Sequence, residues 1–300
     1  MEWSPPELRK ILTRVAGEAA GFLRDKFGSI NLLEVHGVKA RDETMRIDLE
    51  VENYVFELLK AEGLKCLVAT EERGVVKLGN DPVVIVLDPL DGSKNFASFV
   101  PWAAVSLAAA PINNTEPPRL TDIVAGAVAP IFNWPVISFA KGEGVHEGED
   151  KPLMTPTRRL LLYYAENAQQ ALIVEKLIEA LKARGMRVSA RSLGSASLEV
   201  SWAGIGRALA FIDVRGKLRT IDITAAVHIA LEAGSYVIVE RWGARIDRVE
   251  EVGTVIVAPP DTWGIVKSVL CETGHCNLVD QALSRKETQL IPVARATQGH

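Results

Sequence analysis

The chain has 300 residues, a length that predicts two compact domains at about 150 residues each. Hydrophobic residues make up 48% of it and charged residues 24%, which excludes a disordered or fibrous chain and predicts a folded, soluble protein. The net charge is −4 and the 34 lysines and arginines are scattered, so we expect no nucleic-acid partner. Neither a membrane-spanning apolar run nor a signal-peptide pattern occurs, which favours a cytoplasmic protein without membrane contact.

The cysteines are too few for a disulfide framework, in agreement with a reducing compartment. Cys271, His275 and Cys276 form one short cluster, but a zinc site needs a second group of ligands. We therefore expect no metal at that cluster.

The N-terminal half combines two amphipathic helices with several short apolar runs. Apolar residues at helical spacing predict helices over 5–28 and 44–62. Apolar runs bounded by turn residues predict strands of one sheet over 67–69, 83–87, 103–110, 123–128 and 136–140. This pattern indicates an N-terminal α+β domain over residues 1–150.

Beyond a polar segment at 141–159, strands and helices alternate and predict a C-terminal α/β domain over 151–275, followed by a tail at 276–300. The predicted strands are 160–164, 187–188, 208–214, 236–240 and 254–258. The predicted helices are 168–184, 195–203, 223–233 and 262–272.

The most informative segment reads VVIVLDPLDGSKNF, residues 83–96. A buried strand delivers Asp88 to its carboxyl end, and Pro89 and Gly92 are expected to turn the chain so that Asp91 returns beside Asp88. Two adjacent carboxylates are unfavourable without a cation, and Mg²⁺ prefers oxygen ligands such as these and the Leu90 carbonyl. The alternative is a pair of Asp turns on a surface loop.

Two neighbouring features favour the metal site. Gly92 and Ser93 offer backbone N–H groups that could bind a phosphate. Glu71 and Glu72 follow another predicted strand, so a second pair of acids is expected at the same edge of the sheet, although such a pair is often solvated surface.

The segments DPLDGSKNF (88–96), TEERG (70–74), IDITAA (221–226) and DETMRID (42–48) together resemble the inositol monophosphatase superfamily, close to its archaeal branch with fructose-1,6-bisphosphatase activity. The resemblance covers about residues 5–270. It implies an α/β fold, a layered α/β/α/β/α sandwich of the sugar-phosphatase type. It also implies Mg²⁺-dependent hydrolysis of phosphate monoesters, commonly in a homodimer.

The resemblance also implies roles for individual residues. The implied metal ligands, for two or three Mg²⁺ ions, are Glu71, Asp88, the Leu90 carbonyl, Asp91 and Asp222. Asp48 and Ser93 match the pair that orients the attacking water. The N-terminal domain would thus carry most ligands, and the C-terminal domain would contribute Asp222 and the substrate residues.

Two positions depart from the usual family pattern. Ser93 stands where many relatives have Thr, which keeps the hydroxyl, and Ile221 stands where many have Trp. Asp222 itself is retained, although an Asp at the start of a helix is ordinarily a cap. The two roles of Asp222 are compatible.

The residue types suit this chemistry. A metal ion near Glu71, with Asp48 and Ser93, would lower the pKa of a water molecule and direct it at phosphorus. A second ion near Asp88, Asp91 and Asp222 would stabilise the departing oxygen.

For the substrate, Gly194, Ser195 and Ala196 match the segment that lines the sugar or inositol side in relatives, and Asp213 matches an acid that contacts substrate hydroxyls there. The following segment adds Arg215, Lys217 and Arg219, with Arg191 earlier in the chain. These cations could hold a second phosphate, as fructose 1,6-bisphosphate requires, or they could merely balance nearby acids on an exposed loop.

Three functions remain open. The first is a phosphatase for a small-molecule phosphate ester, with fructose 1,6-bisphosphate and inositol 1-phosphate as substrates. The second is a 3'(2'),5'-bisphosphate nucleotidase, which would need a group to stack a base. The third is a non-catalytic, metal-stabilised scaffold, which would be expected to lack a ligand.

Overall fold

A computed structural model of the chain describes residues 3–33, 35–39, 42–112, 116–132, 134–153 and 158–283. Its helices are α1 (Pro5–Lys26), α2 (Arg46–Ala61), α3 (Ser93–Ala97), α4 (Ala168–Ala183), α5 (Ala196–Gly204), α6 (Thr220–Glu232), α7 (Pro260–Glu272) and α8 (Cys276–Val279). Its strands are β1 (Val35–Lys39), β2 (Asp42–Met45), β3 (Leu67–Thr70), β4 (Gly74–Lys77), β5 (Val83–Asp91), β6 (Ala104–Pro111), β7 (Ala125–Pro130), β8 (Ile137–Ala140), β9 (Gly144–Glu147), β10 (Leu160–Tyr164), β11 (Ser189–Arg191), β12 (Ala210–Arg219), β13 (Tyr236–Val239) and β14 (Glu251–Ala258). Most of the predicted tail, residues 284–300, lies outside the described residues.

The strands form two main sheets. The seven-stranded sheet has the order β4-β3-β5-β6-β7-β8-β9, in which β3 and β5 are parallel and the other neighbours are antiparallel. The five-stranded sheet has the order β11-β10-β12-β14-β13, with β10 parallel to both of its neighbours. The prediction that the apolar runs of the N-terminal half share one sheet is confirmed.

Helices complete a stack of five layers. α1 and α2 pack on one face of the seven-stranded sheet, α5 and α6 lie between the sheets, and α4 and α7 cover the outer face of the five-stranded sheet. The predicted α/β/α/β/α arrangement is confirmed. One apolar core fills the space between the sheets and draws residues from both halves, so the domain boundary near residue 150 stays a prediction.

Local signals explain where α1 begins and how it packs. Ser4 precedes the helix, and its N–H and hydroxyl both donate to the Glu7 carboxylate, at 2.9 and 2.6 Å. This reciprocal cap occupies donors that the first helical turn leaves unpaired. The apolar stripe of the helix, including Leu12 and Leu23, is fully buried.

Two strands run further than the apolar pattern predicts. β5 continues to Asp91, so the prediction of a turn directly after Asp88 is wrong. β12 continues to Arg219, so the segment after Asp213 is a strand and not the loop that the sequence predicts. β12 continues because its polar end pairs with β14 through an irregular register, with Arg219 opposite Glu251. Short strands such as β4 and β9 were not predicted, because a run of four residues is too short to show a clear period.

The cysteine cluster contains a disulfide between Cys271 and Cys276, five residues apart. This bond departs from the expectation drawn from the small number of cysteines, because the turn between α7 and α8 brings the two Cα atoms within 4.0 Å. The third cysteine, Cys66, is buried, and burial raises the pKa of its thiol to about 12. Among the described helices, none combines the length and apolar content needed to span a bilayer.

Close packing of α5 against α6 predicts a marked sensitivity at Gly204. A Cβ at this position would lie 2.6 Å from the Cα and Cβ of Ala230, so Gly204→Ala should destabilise the protein by about 1–3 kcal/mol through overpacking. Gly264, on the exposed side of α7, has open space around it, so Gly264→Ala should stabilise by up to about 1 kcal/mol. Urea unfolding of both variants tests the pair, and equal effects would contradict the packing argument.

Candidate active site

The site lies where the carboxyl ends of two parallel strands meet. Thr70, the last residue of β3, pairs with Leu87 of β5, so Glu71 and Asp88 follow side by side at one edge of the seven-stranded sheet. This juxtaposition is the one that the sequence predicts for the two acidic pairs.

A bulge in β5 brings Asp91 to the same face as Asp88. Asp88 pairs with Ser106 and Asp91 with Ala104, so three steps along β5 match two steps along β6. The extra residue reverses the alternation of side chains, and Leu90 packs in the outer core with Leu87. Asp88 and Asp91 therefore both face the layer between the sheets, and the Leu90 N–H donates to Asp88 Oδ1 at 3.1 Å.

Asp48 and Asp222 each occupy the third position of a helix. Asp48 accepts a hydrogen bond from the Met45 N–H and Asp222 accepts one from the Arg219 N–H, both at 2.7 Å. The helix that carries Asp222, α6, begins at Thr220, three residues before the start near residue 223 that the sequence predicts. Asp222 is thus not the residue before the helix, as the sequence predicts, but caps the first turn from the third helical position, and its other oxygen, Oδ1, accepts a hydrogen bond from Nη2 of Arg219 at 3.0 Å.

The carboxylates of the site repel one another. Burial, followed by the charges of Glu71, Asp91 and Asp222, raises the pKa of Asp88 well above its usual range. Burial raises the pKa of Glu71 to about 7, against the opposing effect of Arg219. Burial also raises the pKa of Asp91 to about 6, although hydrogen bonds from Ser195 and Ser197 oppose the change.

A cation already bridges two of these acids. Nη2 of Arg219 lies 2.7 Å from Glu71 Oε1 and 3.0 Å from Asp222 Oδ1. In this arrangement, no three His, Cys, Asp or Glu side chains of the described part of the chain converge on the position of a single ion. The donor set nevertheless fits a hard divalent cation, because its oxygens are buried, mutually repelling and in part neutralised by a guanidinium.

Asp91 also holds the start of α5. Its carboxylate accepts hydrogen bonds from the Ser195 hydroxyl at 2.5 Å, the Ala196 N–H at 3.1 Å and the Ser197 N–H at 2.8 Å, and from the Ser197 hydroxyl. The metal-ligand candidate Asp91 and the substrate candidate Ser195 are therefore in direct contact.

Gly92 and Ser93 form the turn into α3. Gly92 has φ +89°, and a Cβ there would lie 3.0 Å from the Trp102 carbonyl oxygen, so only glycine fits without strain. Asn95, which the sequence analysis did not select, donates to the Leu193 carbonyl at 2.6 Å and ties this turn to Gly194. Phosphate binding by the Gly92 and Ser93 amides, and the pairing of Ser93 with Asp48, stay predictions.

The cations expected around the substrate are engaged with acids. Arg215 donates to the fully buried Asp213 from Nε at 3.0 Å and from Nη2 at 2.8 Å, and Lys217 forms an ion pair with Glu166. These ion pairs agree with the second of the two interpretations given above, in which the cations balance nearby acids and do not hold a phosphate. Arg191 lies on the edge strand β11, is exposed, and donates to the Ala190 carbonyl, so the structure does not bring it to the acids.

Sequence reasoning missed Glu199. Its carboxylate accepts hydrogen bonds from the backbone N–H groups of Leu193, Gly194 and Ser195 and from the Tyr164 hydroxyl, and burial raises its pKa to about 7. The sequence did contain a sign that Glu199 is buried, because it is the single ionisable residue in the otherwise apolar or small helical segment ASLEVSWAG. A buried acid there organises the turn that carries the predicted substrate residues.

The layered fold, with acids at the edge of its larger sheet, has the architecture expected of the sugar-phosphatase type. The model of the inositol monophosphatase family matches residues 5–275, and the chain belongs to that family. It is 35% identical to an inositol-1-monophosphatase of Aeropyrum pernix over 84% of this chain and 92% of the relative. It is 29% identical to a fructose-1,6-bisphosphatase/inositol-1-monophosphatase of Methanothermobacter thermautotrophicus over 67% of this chain and 72% of the relative.

Solved structures agree with this assignment. A crystal structure of an inositol monophosphatase–fructose 1,6-bisphosphatase superposes with a TM-score of 0.68 at 25% identity, covering 90% of this chain and all of the other. The family predicted from the sequence is confirmed, and so is the enzyme class, phosphoric monoester hydrolase, that the relatives' names describe.

The raised pKa values predict how stability depends on pH in the metal-free protein. Glu71 and Asp91 have pKa values of about 7 and about 6 in the folded state, and ordinary values near 4 when unfolded. Between these values the folded state binds more protons, so the free energy of unfolding should decrease as pH rises from about 4 to about 7.

Urea unfolding in EDTA across this range measures the slope. Asp88→Asn should flatten it, because the substitution removes a carboxyl whose pKa is raised well above its usual range, chiefly by burial, and with it a proton that the folded state retains. Identical slopes in the wild type and the variant would contradict the raised pKa of Asp88.

Proposed function

We propose that the chain is a Mg²⁺-dependent phosphomonoesterase of small sugar or polyol phosphates, with inositol 1-phosphate and fructose 1,6-bisphosphate as substrates. The observation that carries the proposal is the group of buried acids at the carboxyl ends of β3 and β5. Relatives named for each of the two activities support both substrates. A cytoplasmic location belongs to the same proposal.

Two or three Mg²⁺ ions would be held by Glu71, Asp88, the Leu90 carbonyl, Asp91 and Asp222. When bound, Mg²⁺ supplies Lewis-acid activation of water and neutralises charge on the phosphoryl group. Buried carboxylates with raised pKa values suit this role, because a cation relieves their mutual repulsion.

The chain's own groups orient the reactants. Asp48 and Ser93 offer a carboxylate and a hydroxyl to hold the attacking water, and the Gly92 and Ser93 amides offer donors to the phosphate. Gly194 and Ser195, fixed by Glu199 and Asp91, would contact the sugar or inositol ring. Asp213 would contact a substrate hydroxyl only by giving up part of its bonding to Arg215.

The nucleotidase alternative receives less support. A base needs an aromatic or apolar surface on which to stack. Tyr164, the ring beside Arg215, is buried, and the guanidinium lies 4.4 Å from its centroid. That ring is therefore not offered to a nucleotide.

Phosphate release tests the proposed activity. With Mg²⁺, the chain should hydrolyse fructose 1,6-bisphosphate and inositol 1-phosphate faster than adenosine 3',5'-bisphosphate, and EDTA should abolish the activity. Preference for the nucleotide would favour the alternative, and no release from any of the three would favour the non-catalytic scaffold.

Asp88→Asn tests the acids. It removes one charge at constant volume, so activity should fall by at least about 100-fold while the protein stays folded. Asp25→Asn removes a charge on the exposed side of α1 and is the matched control, with activity unchanged. Retained activity in Asp88→Asn would contradict the metal assignment.

We also propose that the chain forms a homodimer through an apolar surface beside the site. Phe99, Val100 and Trp134 are 47%, 43% and 46% exposed. Trp134 lines a groove together with Trp102 and Trp202, and Phe99 and Val100 directly precede Pro101, another residue of its lining. An exposed apolar patch of this kind is typical of a protein–protein interface.

Light scattering should give twice the chain mass for the wild type, and Val100→Glu should give a monomer, because the added charge would be buried in the interface. Leu172→Glu, an equally exposed apolar position on α4, should stay dimeric. A monomeric wild type would contradict the dimer, and a dimeric Val100→Glu would contradict this interface.

A further inference from the structure

Arg219 has a fixed backbone and a partly exposed side chain. It is the last residue of β12, paired with Glu251 of β14, and its N–H donates to Asp222 at the start of α6. The side chain is 31% exposed, so the guanidinium can leave the acids towards solvent without disturbing the strand. The backbone bond to Asp222 does not depend on the side chain at position 219.

The guanidinium joins acids from the two halves of the fold. Glu71 follows β3 of the seven-stranded sheet, whereas Asp222 lies on the helix that follows β12. Besides the contacts of Nη2 described above, Nε of Arg219 lies 3.3 Å from Asp222 Oδ2. Arg215 and Lys217 on the same strand bind Asp213 and Glu166 instead.

A metal ion and this guanidinium compete for the same oxygens. Mg²⁺ binds carboxylate oxygens at about 2.1 Å and needs near-octahedral space around it. Two cations in adjacent positions also repel each other in a partly buried site. A metal ion bound by Glu71 Oε1, or one bound by Asp222 Oδ1, therefore requires the guanidinium to withdraw from that oxygen.

We propose that Arg219 is an internal counter-cation that occupies the acidic site in the absence of metal and is displaced when Mg²⁺ binds. It stabilises the metal-free fold by neutralising Glu71 and Asp222, and it lowers the affinity for the metal. The inference rests on the proposed Mg²⁺ site, and its test has a readout other than activity.

Mg²⁺ binding to the metal-free protein, measured by isothermal titration calorimetry, tests the displacement. Arg219→Gln should bind Mg²⁺ about tenfold more tightly than the wild type, because one strong charge pair no longer competes. In EDTA the same variant should unfold at a lower temperature than the wild type, and added Mg²⁺ should raise its unfolding temperature by more than that of the wild type. Lys217→Gln, which removes one positive charge from the same strand, should change the affinity by no more than about twofold, since an exposed charge acts weakly.

Equal or weaker Mg²⁺ affinity in Arg219→Gln would overturn the inference, because the guanidinium would then support the site rather than compete for it. A wild type that binds no Mg²⁺ would instead contradict the proposed function.

If Arg219→Gln does not fold, Arg219→Lys serves in its place. An ammonium cannot bridge both acids as the planar guanidinium does, so this variant should also bind Mg²⁺ more tightly than the wild type. An affinity no higher than that of the wild type would again overturn the inference.

Discussion

The structure is built around the repulsion of buried carboxylates. Asp88 and Asp91 lie on β5, Glu71 follows β3 and Asp222 lies on α6, and folding brings their charges together where water is largely excluded. A grouping of like charges is costly unless donors or cations compensate for it. Much of the surrounding architecture supplies that compensation.

Hydrogen-bond donors and one guanidinium compensate the charges of these acids. Asp91 accepts bonds from two hydroxyls and two backbone N–H groups at the start of α5, and Asp222 accepts a backbone bond and the Arg219 guanidinium. Because β5 belongs to one sheet and α5 lies between both, the bond between Asp91 and Ser195 also joins the two halves of the chain. The interactions that offset the repulsion are thus the ones that align the substrate residues with the acids.

The sequence predicts the part of this arrangement that depends on local patterns of apolar and acidic residues. Apolar runs followed by acids place Glu71 and Asp88 at one edge of a sheet, because the carboxyl ends of parallel strands meet. The bulge that turns Asp91 inwards could not be predicted, since it depends on the register against β6 and the same residues also suit a turn. The pairing of Arg219 with Glu71 could not be predicted either, because it joins residues 148 positions apart and depends on how the two sheets pack.

The pairing of the β12 cations constrains how a second phosphate could bind. Asp213 is fully buried and holds Arg215 through two side-chain bonds, so an incoming anion cannot easily replace it. Glu166 is 45% exposed and pairs with both Lys217 and Arg215 Nη1, so it is the partner that can leave. A phosphate dianion carries more charge than one carboxylate and accepts from a guanidinium and an ammonium at once. Recognition of a bisphosphate would therefore proceed by exchange of Glu166 for the second phosphate, whereas a monophosphate substrate leaves that ion pair intact.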